Sequence, residues 1–136
     1  MDRLDAIMNT TSRILGEATR PPTSLELNDP QQAYKYARDI IEGRWPEGEA
    51  AIAKDPFSAY YYAMDVIKDP FPEGEAAIAT DSYCAYYYAK YAIKGRFPEG
   101  EATIAKDTKY SKKYLEAFPD AKIEWYAREW IGWTQL

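Results

Sequence analysis

The sequence contains no histidine and a single cysteine, Cys84. Without an imidazole the chain has neither the commonest general base nor the commonest metal ligand, and it cannot form a Ser–His or Cys–His nucleophile pair. One cysteine excludes an intramolecular disulfide and is typical of a reducing compartment. We expect Cys84 to be a small buried thiol. These absences predict that the protein is not an enzyme and holds no metal or cofactor.

Long apolar runs and phosphate-binding glycine loops are also missing. No segment approaches the roughly 18 apolar residues that a membrane-spanning helix needs, and no Walker-type or dinucleotide-binding motif occurs. Residues 1–5 carry two acids and start no continuous apolar stretch, so they do not resemble a signal peptide. We therefore expect a cytoplasmic protein with no membrane partner.

The charge balance is acidic. The 136 residues have a formal net charge of −5, which disfavours direct binding to nucleic acid. Hydrophobic residues make up 46%, enough for one domain with a core of its own. Aromatic residues reach 15%, and 13 of them are tyrosines, more than a helical core requires.

What the chain does have is an internal repeat of 26 residues. The pattern Ala-Tyr-x-Tyr-Ala occurs at 33–37, 59–63 and 85–89, and Pro-Glu-Gly-Glu occurs at 46–49, 72–75 and 98–101. A fixed period in this range is typical of a stacked repeat array. The sequence therefore predicts one all-α domain, an α-solenoid. Its parts are an N-terminal cap (1–28), three two-helix repeats (29–54, 55–80, 81–106) and a C-terminal cap (107–136).

Capping signals divide each repeat into two helices. An aspartate that accepts free backbone N–H groups opens the first helix, at Asp29, Asp55 and Asp81. That helix is predicted to end near Gly43, Asp69 and Gly95, where glycine suits a left-handed C-cap. A proline followed by two glutamates opens the second helix, at Pro46, Pro72 and Pro98.

The Ala-Tyr-x-Tyr-Ala and Pro-Glu-Gly-Glu-Ala units resemble the short two-helix repeats of bacteriophage proteins and, more loosely, the helical repeats of giant-virus proteins. The likeness covers residues 29–106. It implies an α-solenoid of viral source that works in the host cell. It brings no established chemistry that would transfer to particular residues.

Helical periodicity separates a core face from a candidate binding face in each first helix. The repeated alanines and the tyrosines Tyr36, Tyr62 and Tyr88 are predicted to be core or half-buried. On the opposite face of the first helices, one row of equivalent positions changes from polar to aromatic residues along the array. We expect a contact patch for a partner protein, which consists of Phe57, Tyr61, Asp65, Tyr83, Tyr87 and Tyr91, with Trp125 in the C-terminal cap as a further contact. The alternative is that this row packs on the terminal cap.

Glutamates also repeat, as one row of Glu47, Glu73 and Glu99 and a second of Glu49, Glu75 and Glu101. Complementation of the helix dipole explains both rows. The alternative is a regular anionic surface that imitates nucleic-acid phosphates. The charge is uneven, however, because residues 55–80 hold five acids against Lys68 alone, a net of −4, whereas residues 81–106 are slightly positive.

The leading functional hypothesis is a non-enzymatic helical-repeat protein that binds another protein. Together with the resemblance, it predicts a phage-encoded inhibitor of a host protein, of the anti-defence or anti-CRISPR type. Two other classes stay open: a binder of nucleotides or other small ligands, with a base stacked in a tyrosine-lined groove, and an acidic mimic of nucleic acid. Self-association through the aromatic face would instead give a homodimer.

Overall fold

The computed structural model describes residues 20–121, and within this range the chain is all-α, with no strand. This confirms the predicted all-α class. Three long helices each begin as an α-helix and continue without a break as a π-helix. These are α2 (Pro30–Tyr36, then Ala37–Ile41), α4 (Pro56–Tyr61, then Tyr62–Ile67) and α6 (Ser82–Tyr87, then Tyr88–Ile93).

Shorter helices alternate with the long ones. The first described helix is α1 (Ser24–Asn28). The second helix of each repeat follows as α3 (Pro46–Ile52), α5 (Glu75–Ile78, preceded by a 3-10 turn at Pro72–Gly74) and α7 (Pro98–Ala105). The last described helix is α8 (Thr108–Ala117). The long and short helix of a repeat pack on each other, and each also contacts its counterpart in the next repeat.

The predicted helix starts are confirmed at atomic detail. The carboxylates of Asp29, Asp55 and Asp81 accept the backbone N–H groups of Gln32, Ser58 and Cys84 at 3.0, 2.8 and 2.9 Å. Asp107 does the same for α8 through the N–H of Tyr110, at 3.0 Å. Each bond satisfies a donor that the first turn of a helix leaves unpaired.

The long helices end differently from the prediction. The left-handed residue is Glu42, Lys68 or Lys94, with φ of 60, 53 and 61°, and not the following Gly43, Asp69 or Gly95. The cause is the wide π-helical last turn, in which the N–H groups of Glu42 and Gly43 both donate to the carbonyl of Ala37, at 2.8 and 3.2 Å. Three residues with a Cβ therefore adopt a conformation that favours glycine.

The core lies between the long and the short helices. Ala33, Ala59, Ala85 and Ala89 are fully buried, as predicted, and so are Ile52, Ile78 and Ile104 from the short helices. The predicted core tyrosines are confirmed, because Tyr62 and Tyr88 have no exposed surface and Tyr36 has 3%. Tyr114 occupies the equivalent position in α8 and is also fully buried, although the sequence analysis did not assign it.

These buried tyrosines join each repeat to the one before it. The phenol of Tyr62 donates to Glu49 at 2.7 Å and accepts the backbone N–H of Trp45 at 2.7 Å. Tyr88 makes the same pair of bonds with Glu75 and Phe71, and Tyr114 with Glu101 and Phe97. In the first repeat, Tyr36 donates instead to the carbonyl of Arg20. The link fixes the spacing of successive layers, because one buried side chain holds both a carboxylate and a backbone group of the preceding repeat.

Glycine in the Pro-Glu-Gly-Glu segment is required by close packing. A Cβ on Gly100 would lie 2.8 Å from the Cβ of Ala85 and 2.8 Å from the ring of Phe97. Equivalent clashes arise at Gly48 with Trp45 and at Gly74 with Phe71 and Ala59. The repeat therefore keeps glycine where the short helix crosses the alanine of a long one.

Candidate functional site

The aromatic residues predicted to bind a partner form one row, which we call the aromatic ridge: Phe57, Tyr61, Tyr83, Tyr87 and Tyr91. Phe57 is 43% exposed, Tyr61 36% and Tyr91 47%, whereas Tyr83 and Tyr87 are half-buried against the core. The ridge thus has two parts, an exposed set of rings and a supporting set beneath it. Apolar rings at this exposure, set side by side, are more common at interfaces than on plain surfaces.

Ring contacts connect the ridge across α4 and α6. Phe57 and Tyr83 have centroids 5.9 Å apart, Tyr83 and Tyr87 4.8 Å, and Tyr87 and Tyr91 5.9 Å with planes only 3° from parallel. Tyr61 reaches the same cluster through Tyr60, whose ring centroid lies 5.0 Å from that of Tyr61 and 6.2 Å from that of Tyr83. The nearby Tyr83 hydroxyl and then burial raise the pKa of Tyr61 to about 12. Rings that support one another in this way present a preorganised surface, so little side-chain entropy is lost on binding.

Further tyrosines that the sequence analysis left out of the patch extend the cluster. Tyr110 of α8 lies 6.1 Å from Tyr83 and 6.2 Å from Tyr87, and Tyr34 of α2 lies 6.3 Å from Tyr61. Tyr34, the first tyrosine of its Ala-Tyr-x-Tyr-Ala unit, is only 8% exposed. Tyr110 occupies the repeat position of the small Cys84, so the period gave no reason to place a ring there. Trp125 lies outside the described residues.

The two glutamate rows have different environments, one at the layer junctions and one at the surface. Glu49 is 9% exposed and Glu101 6%, and both accept a tyrosine hydrogen bond, while Glu47, Glu73 and Glu99 are exposed. Arg44 pairs with Glu49 at 2.9 Å and Arg96 with Glu101 at 2.9 Å. One row therefore serves the layer junctions, and only the other contributes its charge fully to the surface.

An open groove of about 650 Å³ lies between α2 and α4. Tyr34, Phe57 and Tyr61 supply aromatic walls, and Lys35, Arg38 and Asp65 lie among its polar residues. Its size is within the range of about 300–1,000 Å³ typical of ligand sites. Asp65, predicted as a partner contact, is thus placed in a concave site beside one end of the ridge.

The groove follows from a difference between repeats. Gln31 and Lys35 occupy the positions that Phe57 and Tyr61 hold in the second repeat and that Tyr83 and Tyr87 hold in the third. Between α4 and α6 the corresponding space contains rings in contact, such as Phe57 with Tyr83. On the α2 wall a glutamine and a lysine face those positions instead, and the space between the layers stays open.

Charged partners around the groove are already partly paired. The Arg38 guanidinium lies over the ring of Tyr34, 5.1 Å from its centroid, and donates two hydrogen bonds to Asp39, at 2.7 and 2.9 Å. This pairing lowers the pKa of the Asp39 carboxyl. Tyr34 donates to Asp65 at 2.8 Å; burial, and then this carboxylate, raise the pKa of Tyr34.

Residues 20–121 contain no group of three or more acidic or cysteine side chains able to hold a metal ion. Cys84 has no exposed surface, and burial raises the pKa of its thiol, so thiolate chemistry is disfavoured.

Comparisons with known proteins identify no relative: no family model, curated sequence or solved structure matches the chain. Among residues 20–121, no helix has the length and apolar character needed to cross a bilayer.

Proposed function

We propose that the protein is a non-enzymatic helical-repeat protein that binds another protein through the aromatic ridge. The observation that carries this proposal is the exposure of Phe57, Tyr61 and Tyr91 on half-buried tyrosines that hold them in place. Tyrosine and phenylalanine give large contact areas at low entropic cost, and such anchors dominate binding energy at interfaces. The repeats would act as a rigid α-solenoid scaffold for this surface.

A narrower proposal is that the partner is a host protein and that the chain is a phage-encoded inhibitor of it. Its support is the resemblance of the repeat units to bacteriophage proteins. The ridge is compatible with this role, since occlusion of a partner's functional surface requires contact area and no chemistry.

Capture of partners from a bacterial lysate tests the ridge. Wild type would be compared with Phe57→Ala and Tyr91→Ala, which remove exposed rings, and with Leu25→Ala as a control, because Leu25 is an apolar residue with 61% exposure outside the ridge. We expect a protein that wild type and the control capture and that both ridge variants lose. The captured protein would then be purified and its affinity for each variant measured.

Equal capture by the ridge variants and by wild type would overturn the proposal. Light scattering on the same samples would show whether the ridge buries itself in a homodimer, which the ridge variants would then dissociate.

Binding of a small ligand is the second candidate function, and the groove between α2 and α4 favours it. Exposed rings beside polar groups could stack and orient a planar ligand, for example a nucleobase. A thermal shift with a nucleotide panel tests this candidate, since a ligand that binds only the folded state raises the melting temperature.

A further inference from the structure

We propose that the groove between α2 and α4 binds an arginine side chain of the partner protein. This inference deepens the proposed function and rests on it. The groove would give the interface its specificity, and the ridge would give it contact area.

This chain already binds a guanidinium in the required manner at the groove wall. Arg38 stacks on the Tyr34 ring, 5.1 Å from its centroid, while a carboxylate, Asp39, accepts two of its hydrogen bonds. Tyr61 and Asp65, one helical turn apart on α4, offer the same pair of an aromatic ring and a carboxylate. Among residues 20–121, no arginine pairs with Asp65 or stacks on Tyr61 as Arg38 does with Asp39 and Tyr34.

The groove lining carries more negative than positive charge. Asp29, Asp55 and Asp65 line the groove, against Lys35 and Arg38, and Arg38 is neutralised by Asp39. The space therefore favours a cation over a phosphate. Each of the three carboxylates accepts one of the hydrogen bonds given above, whereas an ionised carboxylate has about four acceptor sites.

The contacts that the groove offers suit a guanidinium better than an ammonium. A guanidinium is planar, weakly hydrated and able to bond a carboxylate through two parallel N–H groups while it stacks on a ring. The exposed ring of Tyr61 offers a face for stacking, and Asp65 is exposed and able to accept such a fork. A lysine would match the charge of the groove, but its ammonium cannot both stack on the Tyr61 ring and bond Asp65 through two parallel N–H groups.

Peptide titrations followed by NMR test the proposal. The probes are acetyl-Gly-Gly-Arg-Gly-Gly-amide and the same peptide with citrulline, which has arginine's shape without its charge, or with lysine. L-Argininamide and AMP complete the set. We expect the arginine peptide to bind at least about tenfold more tightly than the citrulline peptide, with the lysine peptide between them.

Two matched variants locate the site. Asp65→Asn keeps an acceptor for Tyr34 and removes the charge, so it should weaken the arginine peptide about tenfold. Asp69→Asn removes an exposed charge from the same repeat outside the groove and should leave binding unchanged.

Equal binding of the arginine and citrulline peptides, no binding of either, or no effect of Asp65→Asn would each overturn the inference. Preference for AMP would assign the groove to a nucleotide instead, and L-argininamide binding as tightly as the peptide would point to a free small-molecule cation. The lysate experiment separates the two proposals, because Tyr91 lies on the ridge and does not line the groove. Loss of capture by Tyr91→Ala with failure of the peptide titration would leave the proposed function standing alone.

Discussion

Tyr88 and Glu75, thirteen residues apart, share a hydrogen bond of 2.6 Å in which the tyrosine donates to the carboxylate. The same phenol accepts the backbone N–H of Phe71 at 2.8 Å. One fully buried side chain therefore satisfies two groups of the preceding repeat. This arrangement recurs at Tyr62 and Tyr114, and it gives each layer junction the same polar centre.

Removal of the Tyr88 hydroxyl should destabilise the fold. Tyr88→Phe leaves the N–H of Phe71 and the carboxylate of Glu75 without their partner, which costs about 1–3 kcal/mol. Tyr91→Phe, which removes the hydroxyl of an exposed ring, is the control and should change stability by less than about 0.5 kcal/mol. Urea unfolding of both variants measures the difference, and equal midpoints would show that the junction does not depend on the phenol.

The constant spacing between these tyrosines and glutamates was visible in the sequence, but the hydrogen bond between them was not. Tyrosine at 62, 88 and 114 and glutamate at 49, 75 and 101 keep a constant offset, which could have indicated a contact between them. The glutamates were interpreted through the helix dipole, with a charged surface as the alternative, and neither interpretation pairs them with a tyrosine. Which of two neighbouring glutamates points inward depends on tertiary packing.

Structural features that depend on a few neighbouring residues were predicted more successfully. The aspartate caps and the buried alanine face depend on local geometry and periodicity, and the structure confirms both. The position of the left-handed residue was wrong by one because π-helical turns leave no signature in the sequence. The groove could not be predicted either, since it arises where Gln31 and Lys35, rather than rings, lie opposite Phe57 and Tyr61.

Any side chain at position 100 should destabilise the fold. Gly100→Ala would place a Cβ 2.8 Å from that of Ala85, and such overpacking costs about 1–3 kcal/mol. Gly43→Ala is the matched control, because no atom lies within 4 Å of the added Cβ and the residue is not left-handed. We expect the control to be neutral or slightly stabilising. Thermal unfolding would contradict the packing argument if both variants melted at the wild-type temperature.

Glycine should stabilise the fold at the left-handed positions, which lie one residue before the predicted helix ends. Lys68 has φ of 53°, so Lys68→Gly relieves a left-handed conformation and should stabilise the fold by about 0.5–1 kcal/mol. Asp69→Gly, at the position that the sequence analysis favoured, should be neutral or destabilising because it adds only chain entropy. Chemical unfolding of the pair locates the C-cap; a gain at 69 and none at 68 would refute the observed geometry.

The middle junction should respond to pH differently from its neighbours. Arg44 and Arg96 neutralise Glu49 and Glu101, but proline occupies the equivalent position 70, so Glu75 has no such arginine. Burial raises the pKa of Glu75, the nearby Glu99 and Glu73 raise it further, and the bond from Tyr88 opposes the rise. Because the folded-state pKa lies above the unfolded one, the ionised carboxylate costs stability as pH rises from about 4.5 through the folded pKa.

Glu75→Gln should remove this cost. The amide keeps an acceptor for Tyr88 and has no charge, so at pH 7 we expect the variant to be at least as stable as wild type. The difference should shrink as the pH is lowered and Glu75 becomes protonated. Glu101→Gln is the contrasting variant, since it breaks the ion pair with Arg96 and should cost about 1–3 kcal/mol at pH 7. Unfolding free energies from pH 4 to pH 8 compare the two, and a destabilised Glu75→Gln at neutral pH would mean that the middle carboxylate is compensated like its neighbours.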